Sequence, residues 1–101
     1  MIIYNIRLLP QAVRDIDHLY NYIAEELMEP LTAKKYQEGI LDTIERLIIA
    51  GGSIAINQRE YIQIMYGPDA RTTTYKKMTI VFNVVGDTVI IRRVIASSMV
   101  L

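Results

Sequence analysis

The sequence contains no cysteine and a single histidine among its 101 residues. Without cysteine the chain has neither a disulfide framework nor a thiolate metal site, and a reducing compartment is its natural setting. One histidine, and no clustered carboxylates outside the faces of predicted helices, give a metal-dependent enzyme little support. We therefore expect no metal and no cofactor.

Long apolar runs are missing as well. No stretch approaches the roughly 18 residues of a membrane span, and the first residues lack the charged start and long apolar core of a signal peptide. The sequence therefore predicts a cytoplasmic protein that does not use a membrane. With 101 residues, of which 51% are apolar and 22% charged, we expect one folded domain spanning residues 1–101.

Charge is balanced overall but unevenly distributed along the chain. Residues 1–58 carry five basic and eight acidic side chains, whereas residues 59–101 carry six basic and three acidic ones. A cationic C-terminal half suits phosphate or an acidic partner, because Lys and Arg contacts to phosphate dominate affinity for nucleic acids. The alternative on charge alone is a solvated sheet face.

The first half of the chain predicts one strand followed by two helices. Residues 2–8 alternate in the period of a strand with one buried face. Pro10 suits a first helical turn, and apolar residues then recur at helical spacing to about Met28. A second helix ends at Gly51 and Gly52. The two apolar stripes are Val13, Ile16, Leu19, Tyr20, Ile23 and Leu27 in the first helix, and Ala33, Tyr36, Ile40, Ile44, Leu47 and Ile48 in the second.

The second half predicts strands only. Residues 61–66 are rich in β-formers, and the turn-favouring segment 67–70 is expected to join them as a hairpin to a strand at 71–75. Residues 78–84 alternate strictly, and a Gly-Asp turn leads into a last strand at 88–96. The order β-α-α followed by three to four antiparallel strands predicts an α+β fold, with a helical hairpin packed on one face of a mainly antiparallel sheet.

Three stretches together resemble the RelE/ParE toxin superfamily over nearly the whole chain. They are residues 8–16 with the pair at 22–23, residues 71–82, and residues 86–95. In that order they are similar to the family's first strand and entry into helix one, to its arginine-led strand with the following turn and apolar strand, and to its final strand. The match depends on the order and spacing of all three.

The resemblance implies a growth-inhibiting toxin of a type II toxin–antitoxin, or plasmid stabilisation, module. Such a toxin is neutralised by a cognate antitoxin that wraps its hydrophobic and basic surfaces. RelE-like members cleave messenger RNA in the ribosomal A site, and ParE-like members poison DNA gyrase, so the ribosome with its mRNA and gyrase are the two targets implied. A homodimer and a toxin–antitoxin hetero-oligomer both remain open.

Metal-free RNA cleavage requires a proton acceptor for the 2′-hydroxyl, cations for the phosphorane and a proton donor for the leaving oxygen. By the resemblance, the family's catalytic arginine aligns with Thr79, and the basic pair after the last strand aligns with Ser97, Ser98 and Met99. These departures favour gyrase poisoning or an attenuated activity, and leave catalytic residues unassigned. The alternatives are a ribosome-dependent mRNA interferase, which would be a metal-free endoribonuclease, and a non-toxic antitoxin-binding module.

We expect the basic residues of the C-terminal half to bind the target or nucleic acid rather than to catalyse, because an unperturbed lysine is protonated at neutral pH. Tyr75 lies beside two of them and is the tyrosine best placed to stack on a base. The predicted binding set is Arg71, Tyr75, Lys76, Lys77, Arg92 and Arg93. Neighbouring strand residues point to opposite faces, so one of Arg92 and Arg93 is expected to pair with a helix carboxylate such as Asp42 or Glu45.

Two further segments are interpreted as structural. His18 lies in the first predicted helix, remote in sequence from the basic strands, and is expected to be a surface or structural residue. Residues 94–101 are almost wholly apolar, so they are expected to pack on the protein's own core, on a second copy or on the antitoxin.

Overall fold

The structure is a computed structural model that describes residues 2–101. Within that range it contains four strands and three α-helices: β1 Asn5–Leu8, α1 Pro10–Asn21, α2 Pro30–Ala50, α3 Glu60–Tyr66, β2 Arg71–Tyr75, β3 Met78–Val85 and β4 Thr88–Ala96. A π-helical segment, Tyr22–Glu26, extends α1, and short 3-10 turns at Gly51–Ser53 and Ser97–Met99 follow α2 and β4. None of the helices in residues 2–101 is long and apolar enough to cross a membrane.

The four strands form one sheet in the order β1-β4-β3-β2. The strands β2, β3 and β4 pair antiparallel in sequence order, and β1 adds to the free edge of β4 in parallel. The predicted α+β fold, a helical hairpin on one face of a mainly antiparallel sheet, is confirmed. The first strand is shorter than expected, because only residues from Asn5 onward pair with β4.

The main core lies between the helical hairpin of α1 and α2 and one face of the sheet. Its buried members are Ala12, Ile16, Ile40, Ile44, Leu47, Met78, Ile80, Phe82, Val89, Ile91 and Val94. The strict alternation of β3 places Met78, Ile80 and Phe82 on this face, as the sequence pattern predicted. Both predicted helical stripes contribute, but Val13 and Leu27 of the first stripe remain exposed.

Gly39 allows the hairpin to approach the sheet closely. A Cβ atom at this position would overlap the ring of Tyr75, so α2 can lie against β2 only where the side chain is a single hydrogen. This contact fixes the distance between the middle of α2 and the edge strand of the sheet.

A smaller core covers the opposite face of the sheet. It consists of Ile62, Tyr66, Ala70, Val81 and Ile95, and Val100 packs against it. The prediction of a strand at 61–66 is therefore wrong, since this segment forms α3. Ile62 and Tyr66 lie four residues apart and bury one helical face against the sheet, which outweighs the β-propensity of the individual residues.

The turn at 67–70 is present, with the N–H of Ala70 donating to the carbonyl of Gly67 at 3.2 Å, but it joins a helix to a strand rather than two strands. The predicted hairpin of β3 and β4 is confirmed and contains a bulge. Val81 pairs with Arg93 and Phe82 with Ile91, so Arg92 has no partner across the strands.

The bulge overturns the expectation that Arg92 and Arg93 point to opposite faces. Ile91 and Val94 are three residues apart and both lie in the main core, so the alternation is interrupted between them. Neither arginine enters that core. One arginine does pair with a helix carboxylate, as expected, but the carboxylate is that of Asp15 in α1, so the suggested partners Asp42 and Glu45 of α2 are wrong.

Candidate functional site

An apolar groove of about 540 Å³ opens between the end of α1, the start of α2 and the turn that joins β2 to β3. Its walls come from both halves of the molecule, and its lining residues are Leu19, Tyr22, Ile23, Leu27, Glu29, Thr32, Tyr36, Lys76, Lys77, Met78, Ala96, Ser97 and Ser98. We call it the hairpin groove. Apolar depressions of this size with a polar rim are typical of interaction sites.

The π-helical segment shapes the helical wall of the hairpin groove. The N–H of Leu27 donates to the carbonyl of Tyr22 at 3.1 Å, which is the five-residue spacing of a π turn. Ile23 is buried at the base of this wall, whereas Tyr22 is 53% exposed and Leu27 is 49% exposed. The fold thus leaves large apolar side chains uncovered along one side of the groove.

Lys76 and Lys77 form the cationic rim of the hairpin groove. Lys76 has a φ of 50°, a conformation that residues with a side chain rarely adopt. Its ammonium lies 5.2 Å from the centre of the Tyr36 ring and 5.6 Å from that of Tyr75, within the range of cation–π attraction. A strained backbone and two aromatic contacts therefore fix one charge at the edge of an apolar surface.

Tyr75 is used inside the fold. Its ring meets that of Tyr36 edge to face at 5.6 Å and packs against Gly39. These contacts hold the β2–β3 turn against α2, and they favour a supporting role for Tyr75 over the predicted base stacking.

Arg71 is also occupied within the molecule. Its Nη1 donates to the carbonyl oxygens of Gly51 and Ile54, at 3.2 and 3.0 Å. In the described part of the chain, its Nε is buried without a hydrogen-bond partner. The guanidinium therefore ties the segment after α2 to the first residue of β2, and this role accounts for an arginine at that position.

Arg93 closes the edge of the sheet beyond the end of β1. Its Nε and Nη2 donate to the carboxylate of Asp15 at 2.7 and 3.1 Å, and the backbone N–H of Val94 donates to the same carboxylate at 2.9 Å. Beyond the end of β1, the Asp15 carboxylate thus accepts a hydrogen bond from an N–H on the edge of β4 that no strand pairs with. Burial raises the pKa of Asp15, but the hydrogen bonds from Arg93, Val94 and Gln11 outweigh it and hold the pKa below its ordinary value.

Arg92 belongs to a polar network on the face of the sheet opposite the helical hairpin. Its Nη1 donates to Oδ1 of Asn83 at 3.0 Å, and its Cζ lies 5.8 Å from the centre of the Tyr66 ring. These residues line a depression of about 400 Å³, together with Asp69 and apolar side chains. We call it the Arg92 pocket.

A third depression, of about 260 Å³, lies beside the end of β4 and is lined mainly by hydroxyl groups. Its lining residues are Asn57, Arg59, Thr72, Thr74, Thr79, Ser97 and Val100. The hydroxyls of Thr79 and Ser97 are 2.8 Å apart, and Nδ2 of Asn57 donates to Oγ1 of Thr72 at 2.8 Å. We call it the hydroxyl pocket. Among these lining residues, all in the described part of the chain, Arg59 carries the only charge.

The six predicted binding residues do not form one site. Lys76 and Lys77 border the hairpin groove, Arg92 lies on the other face, and the remaining three make internal contacts. Sequence reasoning missed the groove itself. The available signal was Leu27 and Met28, apolar residues at the end of the first predicted helix, which are 49% and 82% exposed. His18 is exposed on α1 and lies outside these depressions.

A helical hairpin packed on one face of a four-stranded, mainly antiparallel sheet matches the ParE/RelE-like toxin fold. The chain matches the family described as the ParE toxin of the type II toxin–antitoxin system parDE over residues 6–101. The protein therefore belongs to the ParE toxin family.

Solved structures show the same fold at low sequence identity. A chain of the chromosomal ParDE toxin–antitoxin system from P. aeruginosa has a TM-score of 0.77 and 22% identity, covering 93% of this chain and 96% of that one. A chain of the RelBE2 toxin–antitoxin complex from Mycobacterium tuberculosis has a TM-score of 0.62 and 16% identity, covering 95% of this chain and 93% of that one. No curated protein sequence matches the chain.

Proposed function

We propose that this type II toxin inhibits growth by acting on DNA gyrase rather than by cutting RNA, and that an antitoxin neutralises it by occupying the hairpin groove. The family match and the two solved toxin–antitoxin systems support an antitoxin partner. The choice of target depends on the chemistry of the hydroxyl pocket.

The composition of the hydroxyl pocket argues against RNA cleavage. Thr79, Ser98 and Met99 stand where the resemblance places the cations of RNA-cutting relatives, and the hydroxyl of Thr79 is hydrogen-bonded to that of Ser97. Cleavage by a 2′-hydroxyl develops negative charge that positioned cations stabilise, and loss of one such group typically lowers the rate by about 100-fold or more. Arg59 is the single cation among the described residues that line this pocket, so the pocket is poorly equipped for that reaction.

The hairpin groove has the features of a helix-binding surface. An amphipathic helix buries side chains at three- and four-residue spacing in an apolar groove, and Tyr22 and Leu27 offer exposed apolar surface for that contact. Lys76 and Lys77 at the rim favour a segment that carries acidic residues beside its apolar face. An antitoxin segment of this composition covers the apolar surface and both lysines together.

Controlled expression tests this function directly. The chain is expressed alone and together with the product of the neighbouring gene, and growth is followed after induction. We expect arrest with the chain alone, relief with the neighbour, and no new ends on messages by primer extension. Soluble, well-expressed protein that causes no arrest would contradict the toxin function and favour a non-toxic antitoxin-binding module. Ribosome-dependent cuts would contradict the gyrase target.

A further inference from the structure

The Arg92 pocket lies on the face of the sheet opposite the helical hairpin, away from the hairpin groove. We propose that it binds a carboxylate side chain of the toxin's protein target. The identity of that occupant rests on the proposed function, whereas the existence of a carboxylate site does not.

Asn83 fixes the position of Arg92. Only 6% of Asn83 is exposed, and its amide nitrogen donates to the carbonyl of Tyr66 at 3.4 Å and to the carboxylate of Asp69 at 3.3 Å. These contacts turn the amide oxygen toward Arg92, which donates to it at 3.0 Å. Because both the nitrogen and the oxygen of this buried amide are hydrogen-bonded, the amide holds the guanidinium in place before any ligand binds.

Within the described part of the chain, Arg92 has no carboxylate partner. In residues 2–101 the one ion pair is that of Arg93 with Asp15, and Asp69 reaches Arg92 only through the amide of Asn83. A guanidinium carries five N–H groups in a fork that matches a carboxylate. Arg92 uses one of its nitrogens on Asn83 and, like Ile90 two residues before it, faces away from the main core.

The surroundings favour a single carboxylate over a nucleic-acid backbone. Among the described residues that line the pocket, Arg92 is the only cation, which suffices for one carboxylate but not for a run of phosphates. Phosphate backbones bind where several cations follow the chain. Leu9, Val85 and Ile90 supply apolar lining, as at protein–protein contacts where a charged pair is flanked by apolar side chains.

A titration followed by NMR tests the carboxylate site without any assay of toxicity. The full-length chain is titrated with sodium acetate and, separately, with sodium dimethyl phosphate at constant ionic strength. The side-chain Nε–Hε resonance of Arg92, identified by its loss in Arg92→Lys, should shift and saturate with acetate at an affinity about tenfold tighter than with dimethyl phosphate. The resonance of Arg14, an exposed arginine on α1, should not saturate.

Two results of this titration would overturn the proposal. One is the absence of saturation at Arg92. The other is tighter binding of dimethyl phosphate, which would assign the face to a nucleic-acid backbone.

Growth measurements test the occupant. On induction, Arg92→Met should raise survival about 100-fold over the wild type, with antitoxin affinity unchanged to within about twofold, because the groove lies elsewhere. Arg14→Met is the matched control and should kill like the wild type. An Arg92→Met variant that kills as well as the wild type overturns the target contact. If the wild-type chain itself causes no arrest, the toxin function fails, and the titration still decides whether the carboxylate site exists.

Discussion

The two faces of the sheet differ in the kind of surface that they present. The helical-hairpin side ends in an apolar groove with exposed Tyr22 and Leu27 and a rim of two lysines. The opposite side, beyond its small core, carries hydroxyl groups with Arg59 beside them and, in a separate depression, Arg92 held by Asn83. The comparison teaches that basic residues close together in sequence have different roles, because each meets different partners in the fold.

The largest effect is expected from placing a charge on the apolar side. Leu27→Asp puts a carboxylate where an antitoxin helix would bury apolar surface, and we expect antitoxin affinity to fall by about 100-fold, or about 3 kcal/mol. Isothermal titration calorimetry with the purified antitoxin measures this. The matched control is Ile49→Asp, at a residue of α2 that is 62% exposed and does not line the groove. Equal losses in both variants would contradict the assignment of the groove.

The next effect concerns the arginine that the fold uses for itself. Asp15→Asn weakens the contact with Arg93 and Val94, and we expect the free energy of unfolding to fall by about 2 kcal/mol, since hydrogen bonds to charged groups contribute about 1.5–3 kcal/mol. Urea denaturation measures the change. Asp17→Asn, at an exposed position on the same helix, should change stability by less than about 0.5 kcal/mol.

The same contact gives a pH dependence of known sign. The pKa of Asp15 is lowered in the folded state, so the carboxylate contributes stability above its unfolded value, about 3.9, and loses that contribution as pH falls through the folded value. The stability difference between wild type and Asp15→Asn should therefore be constant near neutrality and shrink below about pH 4. A difference that grows on acidification would contradict the contact.

A smaller change is expected where helix and sheet approach each other. Gly39→Ala adds a methyl group against the Tyr75 ring, and overpacking of this kind costs about 1–3 kcal/mol. The higher helix propensity of alanine offsets about 1 kcal/mol of this cost. We therefore expect the free energy of unfolding, measured by thermal or urea denaturation, to fall by a net amount of about 1 kcal/mol. Tyr75→Leu in the same background should recover part of the loss. A more stable Gly39→Ala protein would show that the close approach is not required.

The smallest effect is expected in the hydroxyl pocket. Thr79→Val removes the hydrogen bond to Ser97, and we expect about 1 kcal/mol or less of lost stability, with growth arrest retained. Survival of cells after induction checks the second part. Loss of toxicity in a stable Thr79→Val protein would give the hydroxyl pair a direct part in the activity.

The sequence predicted the fold well where its pattern had a single period. Met78 to Val84 alternate without interruption and form the predicted strand, and the two helices follow their apolar stripes. The prediction of a strand at 61–66 was wrong because these β-forming residues also place Ile62 and Tyr66 four positions apart, which suits a helix. The choice between strand and helix depends on the sheet face that the segment covers, and that face is known only from the fold.

The candidate sites were less predictable, because they depend on contacts between distant residues. A bulge turns Arg93 to the face that Arg92 also occupies, and nothing local in the sequence marks it. Asp15 and Arg93 are 78 residues apart, so their pairing required the fold. The basic rim at Lys76 and Lys77 was within the predicted binding set, whereas the apolar groove beside it was not.

The most direct test of the central claim compares two reactions of the same purified toxin. One is supercoiling of relaxed DNA by gyrase, and the other is cleavage of mRNA in a reconstituted translation system. The account predicts that the toxin inhibits supercoiling, that the antitoxin relieves this inhibition, and that the mRNA remains intact. Discrete ribosome-dependent cuts in the mRNA, with gyrase unaffected, would contradict it.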